Sequence, residues 1–274
     1  MSLAPSKTPP SAAPSFDLEY TIQDSQFDPR RDSQFLFRRT DEVMLREGAV
    51  AGGRTLDVAC GAGTFTMGLR QRGAEAWGIE PSPEMLGMCR WLFPADQVVL
   101  VRGIGEVLPV RDGSFDRVIC KGSLDHFVDP RAFMREAARV LRPDGRVVIA
   151  LANFESLSCR LGRFRERLVQ PFLRNGQRPR RRYWEVHHDH HHKGELSFVQ
   201  QLGGDWLQLE RCYGLSLFWQ FPRWGALLDQ LPTPMATGLW LGLNRIAYRL
   251  PSMADMIIAV WRRCPATDGR SGVV

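Results

Sequence analysis

The sequence predicts an α/β domain built on a doubly wound, mostly parallel sheet. Two observations predict it. Between residues 54 and 151, short apolar runs alternate with segments of helical periodicity. The first run, in Thr55-Leu56-Asp57-Val58-Ala59-Cys60-Gly61-Ala62-Gly63-Thr64-Phe65, stops at two closely spaced glycines, and a helical pattern follows at once. That is a strand feeding a phosphate- or nucleotide-type loop at a helix N-terminus. Glycines let the backbone approach a ligand where a Cβ would intrude, so the loop predicts a bound cofactor.

Each element follows in order. Residues 33–47 carry Phe35, Phe37, Val43 and Met44 at helical spacing, and Ala51-Gly52-Gly53 then punctuates the chain. Residues 54–59 are a strand, 64–72 a helix and 74–79 a second strand. Ser82 is a cap and Pro83 the first position of the next helix. Strands follow at 97–102 and 114–120, the latter with a Val118-Ile119-Cys120 run suited to burial on both faces. A helix at 130–141 closes at Arg142-Pro143-Asp144-Gly145, before a strand at 146–151. Beyond Asn153 the rhythm breaks. Residues 154–170 form an amphipathic helix with Phe154, Leu157, Leu161, Phe164 and Leu168 on one stripe. An Arg-, Pro- and His-rich stretch runs to about 195, then a short helix to 202. Residues 205–213 alternate like a strand, 223–231 and 235–249 are helical, and 255–262 close the sheet. The expected organisation is a tail over 1–15, a single domain over 16–262 and a C-terminal tail over 263–274. The domain core is 50–152 with 195–216 and 254–262; lid elements are 16–48, 153–194 and 217–253.

At 274 residues the chain can bury a sizeable core. Its net charge of +6 is mild and reads as a solvated Arg/Lys excess or as the mark of an anionic partner. Six cysteines, at 60, 89, 120, 159, 212 and 264, include no short-spaced pair. That argues against a zinc ribbon or a disulfide framework and for reduced thiols in a cytoplasmic protein. No apolar run approaches the roughly 20 residues of a bilayer span.

Two cofactor classes suit the glycine loop: a dinucleotide or S-adenosylmethionine. Dinucleotide loops continue to a third glycine, and Thr66 stands there instead. Later segments discriminate further. They are Gly105-Glu106-Val107-Leu108-Pro109, with Gly113-Ser114-Phe115-Asp116; Gly122-Ser123-Leu124-Asp125-His126-Phe127; and Leu141-Arg142-Pro143-Asp144-Gly145-Arg146. With these in order, residues 50–152 resemble the class I S-adenosylmethionine-dependent methyltransferases. Within these it looks most like the branch containing ubiquinone/menaquinone-biosynthesis and small-molecule methyltransferases. The resemblance implies a Rossmann-like seven-stranded sheet whose last strand is antiparallel, with a helical lid from insertions. It implies that Asp57 and the Ala59–Gly63 loop, including Gly61, hold the methionine end of S-adenosyl-L-methionine. Glu80 and Pro81 would lie at the ribose, Gly105 and Glu106 beside the adenine, and Lys121 near the sulfonium. Asp125 and His126 would stand where the acceptor meets the methyl group. The chain departs from the family's usual pattern at three positions. Ala59 and Ile104 replace the usual glycine and adenine-binding aspartate, and Asp125 stands where histidine is common.

The catalytic candidates are therefore Asp125, His126, His188 and His190. The last two come from His187-His188-Asp189-His190-His191-His192, where alternating positions share one face. Adjacent residues of a strand point to opposite faces, so only some of the cluster could converge on a metal and none is assigned; a substrate-facing base or donor and a solvated loop are the other readings. Trp219, Phe221 and Trp224, in an apolar segment, are candidates for a hydrophobic acceptor pocket. The expected partner is a small-molecule acceptor rather than nucleic acid. The arginines at 160, 163, 165, 167, 174, 178, 180, 181 and 182 face one nearby acid, Glu166, and suit a solvated face, an anionic group or peripheral membrane contact of the basic 154–182 segment. RNA methylation and a non-catalytic S-adenosylmethionine-binding regulator are the alternative functions.

Overall fold

The computed structural model describes residues 30–94, 96–169, 182–186 and 190–264. Seven strands form one sheet: β1 Arg54–Val58, β2 Glu75–Glu80, β3 Val99–Arg102, β4 Phe115–Lys121, β5 Leu141–Ala152, β6 Leu207–Leu215 and β7 Met256–Arg263. Their order is β3-β2-β1-β4-β5-β7-β6. The first five pair in parallel, and β7 runs antiparallel to β5 and to β6. The chain starts at mid-sheet, winds outward to β3 and returns to β4 beside β1. That reversal opens a crevice at the carboxyl ends of β1 and β4.

Strand parity builds the core. Leu56, Val58, Val118, Cys120, Val147, Ile149, Ile257, Ala259 and Trp261 enter one buried cluster. Ile119, Val148, Ala150, Met256, Ile258 and Val260 enter the other. Successive side chains of a strand point to opposite faces, so strands apolar at every position must be covered on both sides. Val118, Ile119 and Cys120 are each fully buried, as their run suggests.

The helices are α1 Arg31–Gly48, α2 Thr64–Gln71, α3 Pro83–Leu92, α4 Pro130–Val140, α5 Leu157–Val169, α6 Leu196–Gln201, α7 Trp224–Gln230 and α8 Thr233–Arg249. Ser82 caps α3 by accepting from Met85 N at 3.3 Å, with Pro83 in the first turn. Asp129 caps α4 by accepting from the amides of Arg131 and Ala132. No helix among the described residues is long and apolar enough to cross a membrane. All six cysteines are free thiols.

Four expectations change. Residues 142–145 do not end α4 as a separate loop. Leu141 already pairs with Phe115, so β5 starts there and its register shifts before Arg146 pairs with Arg117. Within α1, Leu36 is buried while Phe37 is 39% exposed, its ring edge-on to Trp219. The apolar stripe of α5 is half-buried at Leu157 and Leu161 and then turns to solvent, with Phe164 59% and Leu168 57% exposed. Small residues Ser158, Cys159 and Gly162 face inward, where Tyr183 and Trp184 crowd Gly162 and leave no room for a larger side chain. The arginines also meet more than one acid: Arg160 and Arg163 pair with Glu155, and Arg182 with both Glu166 and Glu185.

The segment between β6 and β7 packs on α1. Phe35 joins Leu228, Ala236 and Trp240 in a separate apolar cluster. Arg31 donates to the carbonyls of Leu228 and Leu231 at 2.9 Å each, closing the C-terminal end of α7. Buried Asp255 accepts from Ser158 Oγ and from Trp219 N, which ties α5 and this segment to the start of β7. The seat of α8 on β6 is Gly214. A Cβ there would collide with Ala254 and lie 2.6 Å from the Ala247 carbonyl. Gly214→Ala should destabilise the fold by about 1–3 kcal/mol, the usual cost of overpacking. An unchanged urea midpoint would show that α8 is not seated there.

Candidate active site

A cleft of about 460 Å³ opens at the carboxyl ends of β1, β2 and β4. Asp57, Ala59, Gly61, Glu80, Pro81, Gly105, Glu106, Lys121 and His126 line it. Sequence reasoning names all nine, and the topology brings them together. Gly63 does not line it; with φ 77 it precedes α2, and a Cβ there would sit 3.0 Å from Cys89 Sγ. Asp125 lies behind the cleft wall rather than in it.

Glu80 is the best connected of these side chains. It is 4% exposed. Its Oε2 accepts from Gly61 N at 2.8 Å and its Oε1 from Ser82 N at 2.9 Å. One carboxylate thus holds both the glycine loop and the start of α3. Gly61 has φ 56, and a Cβ on it would meet no protein atom within 4 Å. Its need for glycine comes from the backbone conformation and from the open cleft in front of it. Ala59 also has φ 56, which is why glycine suits this place; alanine there costs roughly 1–2 kcal/mol.

Asp57 is buried, and desolvation pushes its carboxyl up to about 6. The Thr66 hydroxyl, donating to Asp57 Oδ2 at 2.6 Å, and the Lys121 ammonium pull it down, while Glu80 pushes it up. Thr66 therefore has a positive role where dinucleotide loops carry glycine. In the sequence Thr66 serves only to exclude that motif; a hydroxyl one turn into the helix after a strand-tip acid is the signal that marks its role. Lys121 bonds Asp41 of α1 at 2.6 Å and lies over the Phe65 ring at 4.7 Å. The cleft lining therefore holds three carboxylates against one ammonium already paired, a balance that suits a cationic ligand. Glu106 turns inward, where its Oε1 accepts from Val128 N at 3.0 Å. Gly105 passes beneath Phe127, 2.8 Å from whose Cζ a Cβ would stand. Ile104, Met85, Met88 and Phe127 give this end of the cleft an apolar wall.

Beyond Lys121 a short 3-10 turn, Leu124–His126, carries Asp125 and His126. His190 reaches it from the segment before α6. Its Nδ1 lies 2.9 Å from Asp125 Oδ2, and its ring centroid is 4.4 Å from that of His126. The amides of His191 and His192 donate to the Asp125 carbonyl at 2.8 and 3.2 Å, locking the two segments together. His188 lies outside the described residues. The aromatic candidates are placed elsewhere. Trp219 donates through Nε1 to Ser33 of α1 at 2.9 Å. Trp224 packs against the cluster of Phe35 and Trp240, and Phe221 packs against Phe218. None of the three lines the cleft, because α1 and α7 bury their apolar faces against one another and take up these rings.

Residues 56–149 match the family described as Methyltransferase domain. The ubiquinone biosynthesis O-methyltransferase of Xanthomonas oryzae pv. oryzae is 33% identical over 107 residues, 38% of this chain and 45% of that protein. The chain thus matches under half the length of this curated relative. Among solved structures, a methyltransferase in complex with the Haloferax volcanii Trm112 methyltransferase activator superposes with TM-score 0.56 at 19% identity, covering 88% of this chain and 95% of that one. Geranyl diphosphate C-methyltransferase from Streptomyces coelicolor A3(2) superposes with TM-score 0.54 at 16% identity, covering 84% and 82%. Residues 56–149 thus form a methyltransferase domain of the class I S-adenosylmethionine-dependent type, set in the sheet of order β3-β2-β1-β4-β5-β7-β6.

Because Thr66 favours the charged form of Asp57, Thr66→Val should move that carboxyl further above about 6. Carboxyl-detected NMR titration of the ligand-free protein reads the midpoint directly, and an unmoved midpoint would disconnect the two. The raised value also has a stability consequence. The contribution of Asp57 is fully present below its unfolded value near pH 4 and is lost as pH rises through about 6.

Proposed function

We propose that this protein transfers a methyl group from S-adenosylmethionine to a small, hydrophobic acceptor of quinone-, lipid- or natural-product-like character. The observation that carries the reading is the acid-lined cleft at the tips of β1 and β2, with the Glu80-clamped loop at its floor. When bound, the cofactor supplies an electrophilic methyl carbon on a sulfonium, so the protein has mainly to position and desolvate. Glu80 accepts from the ribose hydroxyls. Asp57 in its ionised form holds the cationic methionine end. The wall of Ile104, Met85, Met88 and Phe127 takes the adenine by packing, since Ile104 offers no carboxylate. The cluster of Asp125, His126 and His190 stands at the acceptor side and promotes loss of the proton of an acceptor hydroxyl. The names of the relative and of one structural neighbour, a ubiquinone O-methyltransferase and a geranyl diphosphate C-methyltransferase, support a hydrophobic acceptor. For RNA the support is weaker: Arg160, Arg163 and Arg182 are taken up by Glu155, Glu166 and Glu185.

Calorimetry with the demethylated cofactor, S-adenosylhomocysteine, tests the reading. One-site uptake is expected, and uptake of a nicotinamide dinucleotide instead would overturn it. Glu80→Ala should weaken that affinity by about 1–3 kcal/mol and also lower the melting temperature, because the Gly61 and Ser82 amides lose their acceptor. A loss seen only in acceptor KM would contradict the assignment. Affinity in the wild type should fall roughly tenfold between pH 7 and pH 5 as Asp57 takes up its proton. In Asp57→Asn that dependence should flatten; an equally steep profile would remove Asp57 from the ligand's contacts.

A further inference from the structure

We propose that Asp125, His126 and His190 form a binding site for one divalent transition-metal ion, of the zinc type, whose open coordination position faces the acceptor end of the cleft. The donor atoms of these three residues all lie within 4.8 Å of one another. Two imidazoles and one carboxylate are the set that zinc and its first-row neighbours take, whereas magnesium and calcium prefer oxygen alone.

Three further observations point the same way. Asp125 Oδ1 is buried and accepts no hydrogen bond among the described residues, although its other oxygen lies 2.9 Å from His190 Nδ1. A buried carboxylate oxygen left without a partner is costly, and a cation is the partner that would satisfy it. The donors are held in place before any ion arrives. The His191 and His192 amides bond the Asp125 carbonyl, His192 stacks on Phe198 with an interplanar angle of 13°, and the His190 ring makes edge contacts with His126 and with Phe154. Finally, three protein ligands leave a position open, as catalytic sites do and structural sites do not. His126 lines the cleft while Asp125 lies behind it, so that position faces the cleft. An acceptor oxygen, from a phenol, enol or carboxyl group, is the ligand it would take. The use of the ion in catalysis rests on the methyl-transfer reading; its binding does not. On sequence alone no metal is assigned, because neighbouring histidines of one strand diverge. The structure instead converges one of them with two residues from a distant turn.

The test uses the whole chain, stripped with a chelator. It is titrated with Zn²⁺ against a chromophoric competitor and with Co²⁺ by visible absorption. One equivalent of tight Zn²⁺ binding and visible Co²⁺ bands are expected. Asp125→Asn and His190→Ala should each weaken Zn²⁺ binding by more than about tenfold and remove the Co²⁺ bands. Both variants should keep S-adenosylhomocysteine binding, which also reports that they are folded. No uptake by the wild type would overturn the site. So would equal uptake by wild type and both variants, which would place the ion on the other histidines of 187–192. Loss of S-adenosylhomocysteine binding by the wild type would instead overturn the methyltransferase reading and leave the metal site standing.

Discussion

A single buried carboxylate holds the functional end of this sheet in shape. Glu80 ends β2, and its two oxygens receive the amides of Gly61 and Ser82. Those amides belong to the two successive strand-to-helix junctions that frame the cleft. Withdrawn from water, a carboxylate needs such donors, and charge-assisted bonds to backbone N–H groups are the strong kind. The loop's unusual backbone, with Ala59, Gly61 and Gly63 all at positive φ, is thereby tied to the neighbouring strand. The residue that the family resemblance assigns to the ribose is thus also the brace of the loop expected to hold the other end of the cofactor.

The second acid works through contrast. Asp57 stands one strand away, its carboxyl pushed up by desolvation and partly pulled back by a helix hydroxyl and a lysine. The lysine in turn is anchored by Asp41 of α1, which brings the N-terminal helix to the rim of the cleft. A helix outside the glycine-loop motif therefore takes part in the electrostatics of the site. On the acceptor side the same logic of borrowing holds. The turn after β4 supplies Asp125 and His126, and a segment some sixty residues later supplies His190. Backbone bonds to the Asp125 carbonyl make that long-range meeting rigid.

Where local reasoning about the later segments fails, packing explains why. The α5 stripe has the right period for a buried face, yet Phe164 and Leu168 remain exposed. Gly162 and Cys159 allow Tyr183 and Trp184 to approach closely, so the small-residue face turns inward. Amphipathic period says which residues share a side, and only the neighbouring surface says which side is covered. Trp219 and Trp224 make the same point. Aromatic density marks them as apolar surface, and that surface is used against α1 rather than against a ligand.

The amino-acid order alone carries the parallel sheet, the glycine loop, the strand-tip acids and the cap of α3, because these depend on residues near one another in the chain. Period, turn chemistry and motif spacing are local quantities. Tertiary structure decided what joins distant segments: the Glu80 clamp on Gly61, the Lys121–Asp41 pair, the inward face of α5 and the meeting of His190 with Asp125 and His126. Such contacts arise when the sheet brings strand ends together and the insertions compete to bury their apolar faces. No linear pattern records the outcome of that competition.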